Sequence, residues 1–598
     1  MGTHTSLVFG VLFFALSMLI ACAPPPASTP SFTSVNIPEA PESNWLNLVA
    51  RYLGKSPEPL SNDILYPNDA IGTTASFWVL DLDGPKMRQV RATLQHVSQT
   101  ALWYVSDALE VDAVGLRSAA NTFDNRLLPE VQRLFSPGFE MPGKVTILNA
   151  RTPGLGGYFA SDNAQPSSAQ RFSNERMMMV MNGSRVGTER YNGTLAHELA
   201  HLISWHIDST EESWVAEGLA EFAADSLKLP SIPYDAYFNN PNVSLSNWPE
   251  IPDLAISAYA AASLFFSYLH TRLGIKGIQQ IVSQPLNGVD GMNAFFESQT
   301  TDFSSFFGDW LAANVARAND GPYAYEPPLS SAVVGDFLSA PGTVSDAAPQ
   351  LGGRYLRIDP GGTPLQVRFD GASSTPVLPV APHSGDHCWW GNRGDSISST
   401  LTREFNIQGI ANPTLHFWTW YAIEDVFDRA YVAASIDNGT SWQLLEGEHT
   451  TNIDPIGTTL GPSYTGASGR WFREQIDLTP YAGGNLLLSF NYVTDQAVSS
   501  VGWCIDDIRI PELGFNDDAE VDSGWQAEGF VLIHREGIAQ DFVLRIISGS
   551  GDNSTVTTIA LDNNNDATFV VDSPSVVIVG GLTDKTTLDG QFTITASR

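Results

Sequence analysis

From Ala113 to Phe135 the apolar residues Leu116, Ala120, Phe123, Leu127, Val131 and Leu134 recur at steps of three and four. Such steps put all six on one face of a helix. On either side the pattern changes. Residues 75–83 (ASFWVLDLD) and 90–109 (VRATLQHVSQTALWYVSDAL) are rich in strand formers, which predicts a small β unit. Strands are also expected at 144–150 (KVTILNA) and 177–182 (MMMVMN), the methionines there being core filler. Helical spacing returns in 192–208, in 211–227 (EESWVAEGLAEFAADSL), in 255–274 (AISAYAAASLFFSYLHTRLG) and in 306–316 (FFGDWLAANVA).

After Gly321 helical spacing stops, and short strands alternate with turns rich in Pro, Gly and Ser. Residues 413–423, 429–445, 470–478 and 485–495 read as successive strands broken at Asn-Gly or Gly-Gly, the pattern of a β-sandwich. A smaller β set follows to the C-terminus. The expected organisation is multidomain: an N-terminal β unit over 61–112, an α+β domain over 113–320, a connecting β segment over 321–382, an all-β, jelly-roll-like sandwich over 383–513 and a small β domain over 514–598. A length of 598 residues suits several domains.

The N-terminus reads as a targeting segment. The apolar run 6–20 is followed by small residues and then by a Pro/Ser/Thr stretch. A run this short fits a secretory signal rather than a membrane span. Leu19–Cys22 (LIAC) resembles a bacterial lipobox, which makes 1–22 a lipoprotein signal peptide, Cys22 the lipidated residue and 23–60 a tether. The expected location is the cell envelope, anchored by lipid and facing outward, or the medium after secretion. The two remaining cysteines, Cys388 and Cys504, form either a disulfide, as an oxidising compartment favours, or two separate buried thiols. The net charge of −34 reads as a solvated acidic surface. With no basic patch in view, nucleic acid is excluded as a partner.

The chemistry centres on 192–208 (NGTLAHELAHLISWHID), where His197, Glu198 and His201 stand as H-E-x-x-H. Residues i and i+4 share a helix face, so His197 and His201 can point two imidazoles at one Zn²⁺. Glu198, rotated by about 100°, reaches a zinc-bound water and acts as general base in peptide hydrolysis. A third ligand is needed. The extended scheme with Gly and a third His is rejected, because Ser204 and Ile207 occupy those positions and His206 is one residue off. Glu217, separated from His201 by fifteen residues and placed in the next helix, is the expected third ligand. Glu221, one turn later on the same face, is expected to hydrogen-bond a ligand imidazole. Tyr259 in the following helix is the candidate oxyanion donor. The glycine-rich stretch 154–163 (GLGGYFASDN) is expected to line the cleft.

A family is recognisable at this point. LAHELAHLI followed by WVAEGLAEF resembles the glutamate-type zincins, specifically the hyicolysin-like metallopeptidases, as do FWVLDLD, FDNRLLPEVQRLF and GGYFASDN…SNER. HSGDHCWWGNRGDSISSTLTREFNI, LHFWTWYAIEDVFDRAYVAASIDNGTSWQLL, YTGASGRWFREQIDLTPYAG and CIDDIRI resemble the β-sandwich of immune inhibitor A peptidases. The resemblance implies a zinc endopeptidase acting on protein or peptide substrates, with His197, His201 and Glu217 as ligands and Glu198 as base. It also implies Ca²⁺ in acidic sandwich loops, with Asp395, Asp506 and Asp507 as ligands. Ser204 departs from immune inhibitor A itself, which has Gly there. RGD at Arg393–Asp395 reads as a structural loop. The alternative reading is a surface adhesion protein, its sandwich holding a glycan or protein ligand beside an inactive peptidase-like domain. A zinc hydrolase with a non-peptide substrate is the third.

Overall fold

The computed structural model describes residues 37–598, apart from 83, 249–251, 330 and 550–552. The expected signal peptide, Cys22 and the first part of the tether lie outside the described residues. The later part of the tether contains a helix, Trp45–Leu53, whose Tyr52 hydroxyl donates to Asn491 at 2.7 Å and whose Trp45 indole donates to the carbonyl of Ala169 at 3.2 Å.

The N-terminal half is built on one six-stranded sheet. Its strands are β1 (Thr74–Asp81), β2 (Lys86–Val97), β3 (Ala101–Ser106), β4 (Val145–Ala150), β5 (Gly157–Phe159) and β6 (Met178–Asn182), in the order β1-β2-β3-β4-β6-β5. The stretch 61–112, expected as a unit of its own, supplies β1 to β3 of this sheet, because β3 pairs with β4 in parallel. The connection between them is the helical segment from Ala113 to Phe135, which includes a π-turn at Phe123–Leu127. All six apolar residues that define its spacing are buried. Strands β3 and β4 are buried along their whole length, as expected of central strands covered on both faces.

Two long helices follow. Glu189–Ile207 starts at Thr188, whose hydroxyl accepts from the Tyr191 N–H, a capping bond that satisfies one free donor. Ser213–Ser226 comes after a short turn. The segment Pro252–Val282 is two helices joined at Gly274, whose φ of 68° favours glycine. Its apolar residues Ala260–Ala262, Leu264–Phe266 and Leu269 serve burial against the helices before it.

The C-terminal half is β-rich. One antiparallel sheet joins Phe472–Asp477, Thr414–Ala422, Gly502–Ile510, His387–Trp390 and Val531–His534, and a second joins Gln443–Leu444, Arg429–Ser435, Asn485–Val493, Ser398–Asn406 and Gln526–Glu528. Their inner faces share one core that includes Leu401, Phe417, Phe490 and Trp503. Cys388 and Cys504 are disulfide-bonded within the first sheet. The expected boundary at 513/514 falls inside this sandwich, since Phe515–Asp517, Gln526–Glu528 and Val531–His534 all pair with earlier sandwich strands. The connecting segment 321–382 likewise has a partner. Leu365–Gly371 lies between Asp566–Val571 and Gly590–Ser597, and Gly342–Ala348 pairs with Gly590–Ser597. One β unit therefore encloses the sandwich in sequence. It packs on the helical half, where Arg545 meets Asp309 at 3.2 Å and donates to the carbonyl of Ser305.

Candidate active site

Helical geometry and a tight turn bring the histidines and Glu217 together. His197 Nε2 lies 3.0 Å from His201 Nε2 and 3.1 Å from Glu217 Oε2, and His201 Nε2 lies 3.4 Å from that same oxygen. Glu221 Oε1 lies 3.1 Å from His197 Nδ1, and its other oxygen accepts from the Ile232 N–H at 2.8 Å. With a proton on Nδ1 facing Glu221, His197 turns a lone pair inward from Nε2. Glu217 Oε2 is buried and makes no well-aligned hydrogen bond. Imidazole nitrogens and a carboxylate oxygen converging in this way need a shared proton or a cation between them to offset the repulsion of their lone pairs. Two nitrogens and one oxygen suit Zn²⁺ with a fourth position open.

Glu198 sits on the same helix and is almost fully buried. Its Oε2 accepts from the Phe159 N–H at 2.8 Å, so the sheet-edge strand β5 holds the carboxylate. The glycine-rich stretch supplies that strand. Burial raises the Glu198 pKa, against the pull of His197 and His201, the direction a proton acceptor needs. For Glu217 burial also pushes upward, but both histidines outweigh it and hold the carboxyl well below its usual range. Tyr259 is raised well above the ordinary tyrosine value by the Glu217 carboxylate first, then by burial, Glu221 and Glu198. It keeps its proton, and its ring packs edge-on against Trp248 with centroids 4.3 Å apart.

His206 points elsewhere. Its Nδ1 lies 2.8 Å from the Leu202 carbonyl and its Nε2 2.8 Å from the Tyr66 hydroxyl. The three aspartates expected to hold calcium do not meet. Asp506 and Asp507 gather with His383, where Asp507 accepts from Arg509 and lies 2.7 Å from His383 Nδ1, and Asp506 accepts from the Ser384 N–H. Asp395 is not part of that group and accepts from the N–H groups of Ser213 and Ser499. A group that sequence reasoning missed lies near it: Glu424, Asp428 and Asp495, with carboxylate oxygens within 4.8 Å of one another. Burial and then mutual repulsion push Glu424 up to about 10; Asp495 stands at about 7, raised mainly by burial. Acidic residues at Glu424-Asp425 and Asp428 in one loop were the available signal, but their partner Asp495 comes from another strand end.

Residues 366–534 match the family described as immune inhibitor A-like, MAM domain. A metalloprotease of Vibrio cholerae, pre-pro-metalloprotease PrtV, is 32% identical over 154 residues, which is 25% of this chain and 16% of that protein. Immune inhibitor A of Bacillus thuringiensis subsp. alesti is 25% identical over 242 residues, 36% of this chain and 34% of the relative. Bacillopeptidase F of Bacillus subtilis is 35% identical over 98 residues, 16% of this chain and 6% of the relative. The chain thus spans about a third or less of the length of each of these relatives. The sandwich matches the immune inhibitor A-like MAM domain, and the chain that carries it is similar to the immune inhibitor A-like metallopeptidases.

Proposed function

We propose that this chain is an exported zinc endopeptidase with a catalytic domain of the glutamate zincin type. The observation that carries the proposal is the convergence of His197 Nε2, His201 Nε2 and Glu217 Oε2 within 3.0–3.4 Å of one another, beside the buried carboxylate of Glu198. Zinc held by those three atoms would supply a Lewis acid for the scissile carbonyl and would acidify water. Glu198, fixed by the Phe159 N–H, takes the proton of the attacking water at its free oxygen and passes it to the leaving amine. Glu221 keeps the His197 proton on Nδ1. Tyr259, held protonated, donates its O–H to the developing oxyanion. The edge strand β5 offers backbone for pairing with an extended peptide.

Export is supported by the disulfide between Cys388 and Cys504. The lipid anchor at Cys22 completes the proposal, and Cys22→Ser releases the protein from membranes to the medium. The catalytic part is tested with Glu198→Gln. We expect the variant to keep one zinc by metal analysis and to lose nearly all casein hydrolysis. Full activity in that variant removes Glu198 as the base. Glu217→Ala is expected to lose zinc, whereas Glu211→Ala keeps it; equal retention removes Glu217 as a ligand.

A further inference from the structure

We infer that Asp395, in the RGD loop of the sandwich, is a positioning residue for the zinc ligand Glu217; this rests on the reading of Glu217 as a ligand. The helix that carries Glu217 begins at Ser213 and lacks its own cap. Glu212, just before it, makes no capping bond through its side chain, which instead accepts from the Trp214 indole. A helix start leaves N–H groups unsatisfied, and one buried without a partner is costly.

Here the partner comes from 182 residues away. Asp395 Oδ2 accepts from the Ser213 N–H at 2.7 Å and from the Ser213 hydroxyl. Asp395 Oδ1 accepts from the Ser499 N–H at 3.0 Å, and the Ser213 oxygen accepts from the Val498 N–H at 3.1 Å. A buried carboxylate at this end of the helix also complements its dipole. Ser213 and Glu217 are four residues apart, so the anchor and the ligand lie on one face, one turn from each other.

The loop that presents Asp395 is itself held from three sides. The Arg393 guanidinium donates to the carbonyls of Ser499 and Ser500 in the sandwich, of Ser246 in the helical half, and of Asp584 in the C-terminal β unit. Movement of the sandwich against the helical half therefore reaches Ser213 through Asp395. The RGD triplet, buried at Arg393 and Asp395, is spent inside the molecule and is not offered to an external receptor.

The test uses the full chain and reads zinc affinity by competition with a chelator, together with kcat and KM on a peptide. Ser213→Pro is the informative variant. Proline is favoured at the first helical position, and Glu212 already has the extended backbone that a following proline requires (φ −64°, ψ 143°). The variant keeps the helical φ but loses the hydroxyl, and its ring carbon replaces the N–H and displaces the Asp395 carboxylate from the helix start. Zinc affinity and kcat are expected to fall about tenfold, the size seen when a ligand's outer support is removed, with KM unchanged. Asp395→Ala is expected to do the same, whereas Asp395→Asn, which keeps one acceptor oxygen for Ser213 but turns its NH₂ onto the Ser499 N–H, is expected to lose less than the alanine variant. If Ser213→Pro folds and binds zinc as tightly as the parent, the inference is overturned while the zinc reading stands. If Glu217→Ala also binds zinc as the parent does, the zinc reading has failed and takes the inference with it.

Discussion

Gly193→Ala sets two effects of opposite sign against each other. Gly193 lies inside the helix of His197, and alanine in a helix interior is better than glycine by about 1 kcal/mol. On propensity alone the variant is more stable. The surroundings decide otherwise. A methyl group at this position would stand 2.2 Å from the Pro230 carbonyl oxygen, where side-chain carbons do not come within about 3 Å of backbone atoms. The obstacle is backbone just beyond the Glu217 helix, so no rotamer change relieves it. Overpacking of a closed interior costs about 1–3 kcal/mol, which outweighs the propensity gain. The expected result is a net loss of up to about 2 kcal/mol. The relief requires a shift of roughly 0.8 Å between the helix and the Pro230 loop. Gly193 is one turn before His197, so the imidazole moves by a similar amount. Ligand distances in a zinc site tolerate about 0.2 Å. Zinc affinity should therefore fall at least tenfold. Thermal unfolding in the presence of chelator measures the first quantity, and competition titration the second. A variant that is more stable than the parent by about 1 kcal/mol and binds zinc equally well would refute the packing argument. Gly218→Ala is the milder companion: its new methyl meets the Phe266 ring at 2.8 Å and the Ala262 methyl at 3.0 Å, contacts less severe than the 2.2 Å to Pro230.

Tyr259→Phe is expected to lower kcat by about 10²–10³ with zinc content and KM unchanged; an unaltered kcat removes Tyr259 as an oxyanion donor. Replacing Cys388 and Cys504 by alanine opens a loop of 116 residues, which by loop entropy costs the sandwich about 4–5 kcal/mol, read as a lower urea midpoint for its unfolding. For pH, Glu424 titrates at about 10 and Asp495 at about 7 in the folded state. Both values are raised above those of the unfolded chain, so stability is fully present below about pH 4 and is lost as pH climbs through 7 and 10. Glu424→Gln should raise the Tm of the sandwich at pH 9 in calcium-free buffer and change it little at pH 5. An equal shift at both values contradicts that assignment.

Local patterns carried the helices and the core of the site. A spacing of four puts His197 and His201 on one face whatever the rest of the fold does, and the short turn 208–212 leaves Glu217 few places to go. The six-residue apolar face between Leu116 and Leu134 was legible for the same reason. Strand pairing was less so. Nothing local in 365–371 announces that its neighbours lie beyond residue 566, because a strand's sequence records its burial and not its partner. The parallel pairing of β3 with β4 was available in principle, since a strand, a helix and a strand in that order imply a crossover. Asp395 was the hardest case. As a loop aspartate it reads as a cation ligand or as a turn former, and only the fold reveals that Ser213 and Ser499 use both of its oxygens.

The same non-local pairing explains why so few bonds suffice at the helix start. Ser374–Thr375 and Ile538–Ala539 pair side by side as the chain enters and leaves the sandwich. Both ends of the sandwich therefore depart from one β unit, and that unit is fixed to the helical half through Arg545. A sandwich on a single flexible linker would lose orientational freedom each time it docked, which the docking contacts would have to offset. Two close exits from a fixed base remove most of that freedom in advance. Hydrogen bonds contribute only about 1 kcal/mol each net, yet here they act on a loop that is already in place. A contact of this kind can hold one helix terminus without being a large interface, and a substitution in the sandwich can then reach the proposed zinc ligands with little effect on global stability.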